Sequence, residues 1–268
     1  MKPISNTAFY CCGVRMQDAA RPKPICGDNF AKTFMDERGL RIAEEFKAEK
    51  RINALCVVRH RIIDDRLREL LAEDLKRTIV IIGAGFDSRA FRLKGGVWIE
   101  VDEPQVVEYK NAKLPAANCP NKLTRIAIDF AAEKLETKLA PFAGCAPVAV
   151  VVEGVLMYLE PEAVRQLLGT LQRLFSHHEL ICDLLPRWFF ERYTRRFHEK
   201  IVGLGATFTG MTDSPAKIFT DSGYRSKRIT PVVPRAAELG ALGFPAFLLH
   251  RFLRRLGGGY AVNSFEFG

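Results

Sequence analysis

Three apolar runs of this sequence end in a carboxylate, and a glycine turn precedes all three. Gly83-Ala84-Gly85-Phe86-Asp87-Ser88-Arg89 follows the β-branched run Thr78 to Ile82. Glycines at such a bend reach backbone angles that a Cβ forbids, and they let a ligand approach the main chain. The GxGxxG pattern of a pyrophosphate loop is incomplete, because Ser88 stands at the third glycine position. Trp98-Ile99-Glu100-Val101-Asp102 ends the next run. Its last carboxylate falls about 20 residues past the loop, where it can accept hydrogen bonds from both hydroxyls of a ribose. Asp129-Phe130 closes the third run, an acceptor beside an aromatic face that suits adenine. Glu153 directly follows Val148 to Val152 and opens Glu153-Gly154-Val155-Leu156-Met157-Tyr158-Leu159. Any one of these acids alone reads as surface; together, behind a glycine loop, they point to a nucleoside-bearing ligand.

Strand ends are the right place for such groups if the runs form a parallel sheet, because ligands sit outside the carboxyl ends of its strands near the switch in strand order. The runs Thr78–Ile82, Val97–Val101, Leu123–Ile128, Val148–Val152 and Glu179–Leu184 are the predicted strands. Stretches 104–114, 131–140 and 161–175 between them are predicted helices, the last opened by Pro161. Residues 29–76 carry helical spacing without proline, with Asp28 as the expected N-cap and Gly39 as the expected break. Tyr260 to Phe267 alternates like a strand completing the sheet's edge. The alternation predicts a doubly wound, mostly parallel α/β sheet with a helical N-terminal cap. The expected layout is one domain over 1–268: a cap at 1–77, a core at 78–268, and a helical cover at about 186–222.

At 268 residues the chain has room for one large core without a disulfide or metal staple. Hydrophobic residues at 48% and charged residues at 26% exclude wholesale disorder. Forty Lys+Arg against thirty-one Asp+Glu leave +9, which suggests an acidic partner without choosing among nucleic acid, membrane and small anions. No apolar run reaches the roughly 20 residues of a membrane span, and none near the N-terminus fits a signal peptide. The seven cysteines form no CxxC and lie at no zinc spacing with histidine. Reduced thiols in a cytoplasmic protein without a metal are therefore expected. Adjacency is the single feature that recommends Cys11–Cys12 as a redox pair.

With those residues in view, the chain resembles the leucine carboxyl methyltransferase family. That family includes bacterial S-adenosylmethionine-dependent O-methyltransferases, some of them associated with polyketide pathways. The GAGFDSR turn, Glu100-Val101-Asp102-Glu103-Pro104 and the Glu153–Leu159 motif are the matching segments. Upstream, Arg59-His60-Arg61-Ile62-Ile63-Asp64-Asp65 is similar to the family's basic helix, and Thr7-Ala8, Arg15, Pro24 and Asp28 match its N-terminal segment more loosely. The resemblance implies a Rossmann-like class I methyltransferase sheet, its last strand antiparallel, and S-adenosylmethionine as cofactor. It places Gly83 and Gly85 along the methionine moiety, Ala84 and Asp87 among the cofactor contacts, Asp102 on the ribose, and Asp129 with Phe130 about the adenine. Arg59 would pair with the cofactor's carboxylate, with Arg61 as the alternative one register away and Arg15 as a further contact. Glu153 and Tyr158 would lie near the amino group and the sulfonium.

Methyl transfer from a sulfonium needs chiefly position and dryness; a carboxylate acceptor needs no base, while a phenol or alcohol must lose a proton. None of the five histidines falls in a strand-end motif, which favours a small carboxylate acceptor. Tyr158 and His198 are the residues considered near the acceptor. His177 and His178 are expected in a solvated turn. Residues 186–200 interleave Trp188, Phe189, Phe190, Tyr193 and Phe197 with Arg187, Arg192, Arg195 and Arg196. This is either a cover that meets an anionic aromatic acceptor or a helix whose arginines simply reach solvent. RNA as the methyl acceptor, or a non-catalytic relative acting as an interaction module, are the competing readings. The first lacks any recognisable nucleic-acid module, and no membrane partner is expected.

Overall fold

The computed structural model describes residues 6–145, 147–243 and 259–268. Seven strands form one sheet: β1 (Thr78–Ile82), β2 (Val97–Asp102), β3 (Lys122–Ala127), β4 (Val148–Val152), β5 (His178–Leu184), β6 (Arg225–Pro231) and β7 (Ala261–Phe267), in the order β3-β2-β1-β4-β5-β7-β6. Neighbours among β1–β5 are parallel, and β7 is antiparallel to both β5 and β6. Successive side chains of a strand point to opposite faces, so an unbroken apolar run feeds two cores. Ile79 and Ile81 join Trp98, Val151, Ile181 and Val262 on one face, whereas Val80 and Ile82 join Ile99, Val150, Cys182 and Phe265 on the other.

The first face is covered by α1 (Asn6–Ala19), α2 (Glu37–Glu45) and α3 (Lys50–Glu73), and the second by α6 (Leu135–Leu139) and α7 (Pro161–Leu174). Also present are α4 (Arg89–Arg92), α5 (Pro104–Lys113), α8 (Arg187–Phe189), α9 (Arg195–Gly203), α10 (Lys217–Asp221) and α11 (Val232–Glu238), with a π-turn at Phe190–Thr194 joining α8 to α9. Among the described residues no helix is long and apolar enough to cross a membrane.

Several expectations are corrected. The helical run 29–76 is a 3-10 turn at Ala31–Phe34 followed by α2 and α3. Gly39 does not divide it but lies inside α2, where a Cβ would come within 2.7 Å of the Phe9 ring; the glycine lets α2 lie against α1. Asp36 caps α2 through the Gly39 amide. Asp28 is no helix cap: it is fully buried and receives Arg15 Nε at 2.9 Å and Ser88 Oγ at 2.5 Å. The predicted helix 131–140 shortens to α6 and a 3-10 turn.

Strand β7 does not complete the edge but inserts between β5 and β6. The edge is β6, whose Arg225-Ser226-Lys227-Arg228-Ile229 is exposed throughout and carries no apolar alternation to read. Such charge also blunts pairing with other chains. His178 is not in a solvated turn: it opens β5, buried, with Nδ1 2.8 Å from the Phe175 carbonyl and Nε2 2.9 Å from the Tyr224 hydroxyl. Arg251, Arg254 and Arg255, expected on a solvated face, lie outside the described residues, as does His250.

Candidate functional site

The strand order reverses between β1 and β4, and a cavity of about 870 Å3 opens at their carboxyl ends. Gly83 and Gly85 turn the chain there with φ of +68° and +47°. A Cβ on Gly83 would lie 2.5 Å from Val155 Cγ2, so the two loops close on each other only around a glycine. Asp102 ends β2 facing the same space and accepts the Gly85 amide at 2.5 Å and the Glu103 amide at 2.7 Å. Burial raises its carboxyl above the ordinary value, partly offset by those amides. Glu100, two residues earlier, is turned into a buried ion cluster with Lys110 at 2.7 Å and Arg125 at 2.9 Å.

Arg15, Arg59, Gly83, Ala84, Gly85, Asp87, Asp102, Phe130, Glu153 and Tyr158 all line this cavity. Asp129 does not; its carboxylate accepts the Ala131 amide at 3.1 Å while the half-exposed Phe130 ring faces the cavity. Arg61 is turned away toward Asp65 (2.7 Å) and the Ile25 carbonyl (2.7 Å), which removes it as the alternative to Arg59. His198 does not line this cavity: its Nε2 accepts the Phe208 amide at 3.0 Å, and its ring packs against Phe190 and Phe208.

Beneath the loop lies a buried ionic network. Arg89, fully buried, reaches Asp64 (2.6 Å), Asp87 and Glu153 (2.8 Å), and Arg92 reaches Asp64 at 2.7 Å. Arg59 donates to Glu153 (2.9 Å), Asp183 (3.2 Å) and the Tyr260 hydroxyl (3.1 Å). Burial pushes the Glu153 carboxyl up, but Arg89, His60 and Arg59 outweigh it and hold it well below the usual range. Burial, then Arg89, lowers His60 and keeps it neutral. Its Nε2 lies 2.8 Å from the Arg92 guanidinium, and its Nδ1 lies 2.7 Å from that of Arg89 and 3.1 Å from Glu153. Ligand atoms of His60, Asp87 and Glu153 lie within 4.8 Å of one another, a set a metal could use. The Arg89 guanidinium already bonds all three.

A second, smaller cavity of about 90 Å3 was not foreseen from the sequence. Leu55, Phe189, Phe197, Phe208 and Met157 give it an apolar wall, and it meets the first at a neck formed by Thr7, Cys11, Arg59, Gly154 and Tyr158. Thr209 fastens the covering loop over it, its amide on the Met157 carbonyl (3.1 Å) and its hydroxyl on the Tyr158 carbonyl (3.0 Å). Arg187, Arg192, Arg195 and Arg196 are exposed and line neither cavity, Arg187 donating to the Met211 carbonyl at 2.6 Å. Phe189 and Phe197 of the same stretch face the smaller cavity. The aromatic spacing was the available signal for this chamber; its partners on α1 and α3 were out of reach.

Comparison with known proteins follows the same outline. A chain from Mycolicibacterium gilvum, provisionally named as an S-adenosyl-L-methionine-dependent methyltransferase, is 38% identical over 192 residues, 64% of this chain and 63% of that one. A relative from Parafrankia, named in the same provisional way, is 30% identical over 188 residues, 64% of this chain and 59% of its own. The match thus spans somewhat less than two thirds of these curated relatives. Among solved structures, a DUF574 family protein from Streptomyces avermitilis aligns over 99% of this chain and 100% of its own, with TM-score 0.60 and 14% identity. The magnesium protoporphyrin IX methyltransferase of Synechocystis, solved with bound SAH, aligns over 81% of this chain and 87% of its own, with TM-score 0.50 and 15% identity. Those two show the fold, a class I methyltransferase sheet. The profile of the leucine carboxyl methyltransferase family matches residues 8–172, and the chain belongs to that family.

Proposed function

We propose that the protein is an S-adenosylmethionine-dependent O-methyltransferase acting on a small, apolar molecule that bears a carboxylate. One observation carries the reading: a glycine-turned, carboxylate-edged cavity at the switch in strand order meets an aromatic chamber at the Arg59–Tyr158 neck. The cavity fits the cofactor by the chemistry of its walls. Asp102 offers a carboxylate to ribose hydroxyls, Phe130 an apolar ring to adenine, and Arg15 and Arg59 guanidinium groups to the methionine carboxylate. Glu153 and the Tyr158 ring supply negative charge and a π-face where a sulfonium is to be held. The bound cofactor supplies an activated methyl group; the chain's task is to align the acceptor and exclude water.

The acceptor's apolar body is assigned to the chamber under Phe189, Phe197 and Phe208. Its nucleophilic oxygen is assigned to the neck beside Tyr158. Burial raises the Tyr158 hydroxyl well above its ordinary value, so it stays protonated and serves as a hydrogen-bond donor rather than a base. Among the described residues no histidine lines either chamber, which supports an acceptor that arrives already ionised. The solvent-facing arginines do not contribute the anion recognition once considered for them.

The test is a panel of paired carboxylic acids and phenols with matched apolar groups, with SAH and methylated product measured by mass spectrometry. Base-labile methyl esters are expected. Transfer to phenols alone would overturn the carboxylate assignment, and no transfer to either series would overturn small-molecule O-methylation.

A further inference from the structure

The neck between the chambers holds a second pair of reactive groups. Cys11 of α1 and Cys56 of α3 both line the smaller cavity there, each with its sulfur beside the Arg59 guanidinium. Arg59 Nη2 lies 4.0 Å from Cys11 Sγ and 3.9 Å from Cys56 Sγ. Cys11 is partly exposed and lines both cavities, so a small reagent reaches it through the larger one; Cys56 is buried and lines the smaller. Cys12, its neighbour in sequence, faces the other way: it is fully buried and donates to the Ala31 carbonyl at 3.1 Å.

The electrostatics separate these thiols too. The hydrogen bond from Cys56 lowers the Cys11 thiol to about 6, helped by Arg59 and Arg15 against burial and Glu153, whereas burial pushes Cys12 up to about 12. A thiolate, accessible and beside a resolving thiol, is the arrangement that oxidises selectively.

We propose that Cys11 and Cys56 form a reversible disulfide when a peroxide enters the larger cavity, and that the bridge weakens cofactor binding beside Arg59. The Cys11 sulfur attacks a peroxide oxygen, the O–O bond breaks, and hydroxide leaves to take up a proton as water. The resulting sulfenic acid is attacked by the Cys56 sulfur, which gives up its proton. The S–S bond forms and the second oxygen departs as water. Two thiols are oxidised by two electrons, and one hydrogen peroxide is reduced to two waters. An S–S bond of about 2.05 Å draws α1 toward α3 and removes a negative sulfur from the wall beside Arg59. That loss of charge weakens the site for a sulfonium cofactor, a consequence that rests on the proposed function; formation of the bridge does not.

The test treats the reduced full chain with one equivalent of hydrogen peroxide. Intact mass and non-reducing peptide mapping read the bridge, and calorimetry with S-adenosylmethionine reads the site. The expected result is loss of two hydrogens, a Cys11–Cys56 linked peptide, and S-adenosylmethionine affinity lower by about tenfold or more, all reversed by dithiothreitol. In Cys56→Ser the same treatment leaves a sulfenic acid on Cys11 that dimedone traps. Over-oxidation of Cys11 without a linked peptide, or a link through Cys12, overturns the proposal. A mapped bridge with unchanged S-adenosylmethionine affinity overturns the effect of the bridge on the cofactor site. Reduced protein that binds no S-adenosylmethionine overturns the cofactor reading and leaves the mapping result to stand.

Discussion

The two chambers touch at Arg59 and are built by opposite means. The larger is made of loops at the carboxyl ends of β1, β2, β3 and β4 together with faces of α1, α3, α6 and α7, and glycine turns, carboxylates and guanidiniums mark its wall. The smaller is made of side chains from α1, α3, α8, α9 and the loop after α9, and its wall is apolar. One is fixed by hydrogen bonds and ion pairs that tolerate little change. The other is fixed by shape alone, so substitutions there retune what fits without unfolding the site.

The largest effect on this comparison is expected at Arg89. Replacing it with methionine leaves Asp64, Asp87 and Glu153 buried around a missing cation. Unfolding in urea should show a loss of about 3–5 kcal/mol. A loss under about 1 kcal/mol would mean the polar chamber is no more rigidly held than the apolar one.

Acid should reveal the same network. Burial raises Asp28, yet Arg15 and Arg92 bring it down to about 2, and Asp64 is also lowered. A carboxylate depressed on folding contributes stability that is present above its unfolded value of about 4 and lost as pH falls toward the folded one. His60, held neutral by burial, adds a loss in the same direction once pH drops below about 6.5, where the unfolded imidazole protonates. Melting temperature should therefore decline from about pH 6.5 and steeply from about pH 4 to pH 2, with a contribution of order 2 kcal/mol from Asp28. A flat profile down to pH 3 would dissolve the contrast.

In the apolar chamber, Phe208→Ala should leave SAH affinity within about twofold while raising the acceptor KM by about tenfold, the worth of one partly buried ring. Steady-state kinetics alongside calorimetry separate the two. Equal losses of both affinities would mean that the chambers are one site. Smallest of all, Arg195→Ala and Arg196→Ala should change stability by less than about 0.5 kcal/mol and leave acceptor KM unchanged, since both side chains face solvent. A raised KM would restore the arginines to acceptor recognition.

The same contrast decides what could be read in advance. The glycine turn, Asp102 and Glu153 are local signals, each within a few residues of a strand that announces itself by an apolar run. The second chamber joins Thr7, Leu55, Phe208 and Tyr260, separated by up to the length of the chain. No local spacing encodes that meeting. Helix α1 escaped because cysteines and polar residues blur its apolar face, and β6 because a charged edge strand buries almost nothing. Asp28 looked like a helix cap until its burial against Arg15 and Ser88 was visible.

The central claim is that the polar chamber holds S-adenosylmethionine through Asp102. Calorimetry of SAH with the wild-type chain and with Asp102→Ala tests it most directly. The account predicts saturable one-to-one binding by the wild type and an affinity lower by about 10- to 100-fold in the variant, as removal of a charge-assisted acceptor would cost. No binding by the wild type, or equal binding by both, would contradict it.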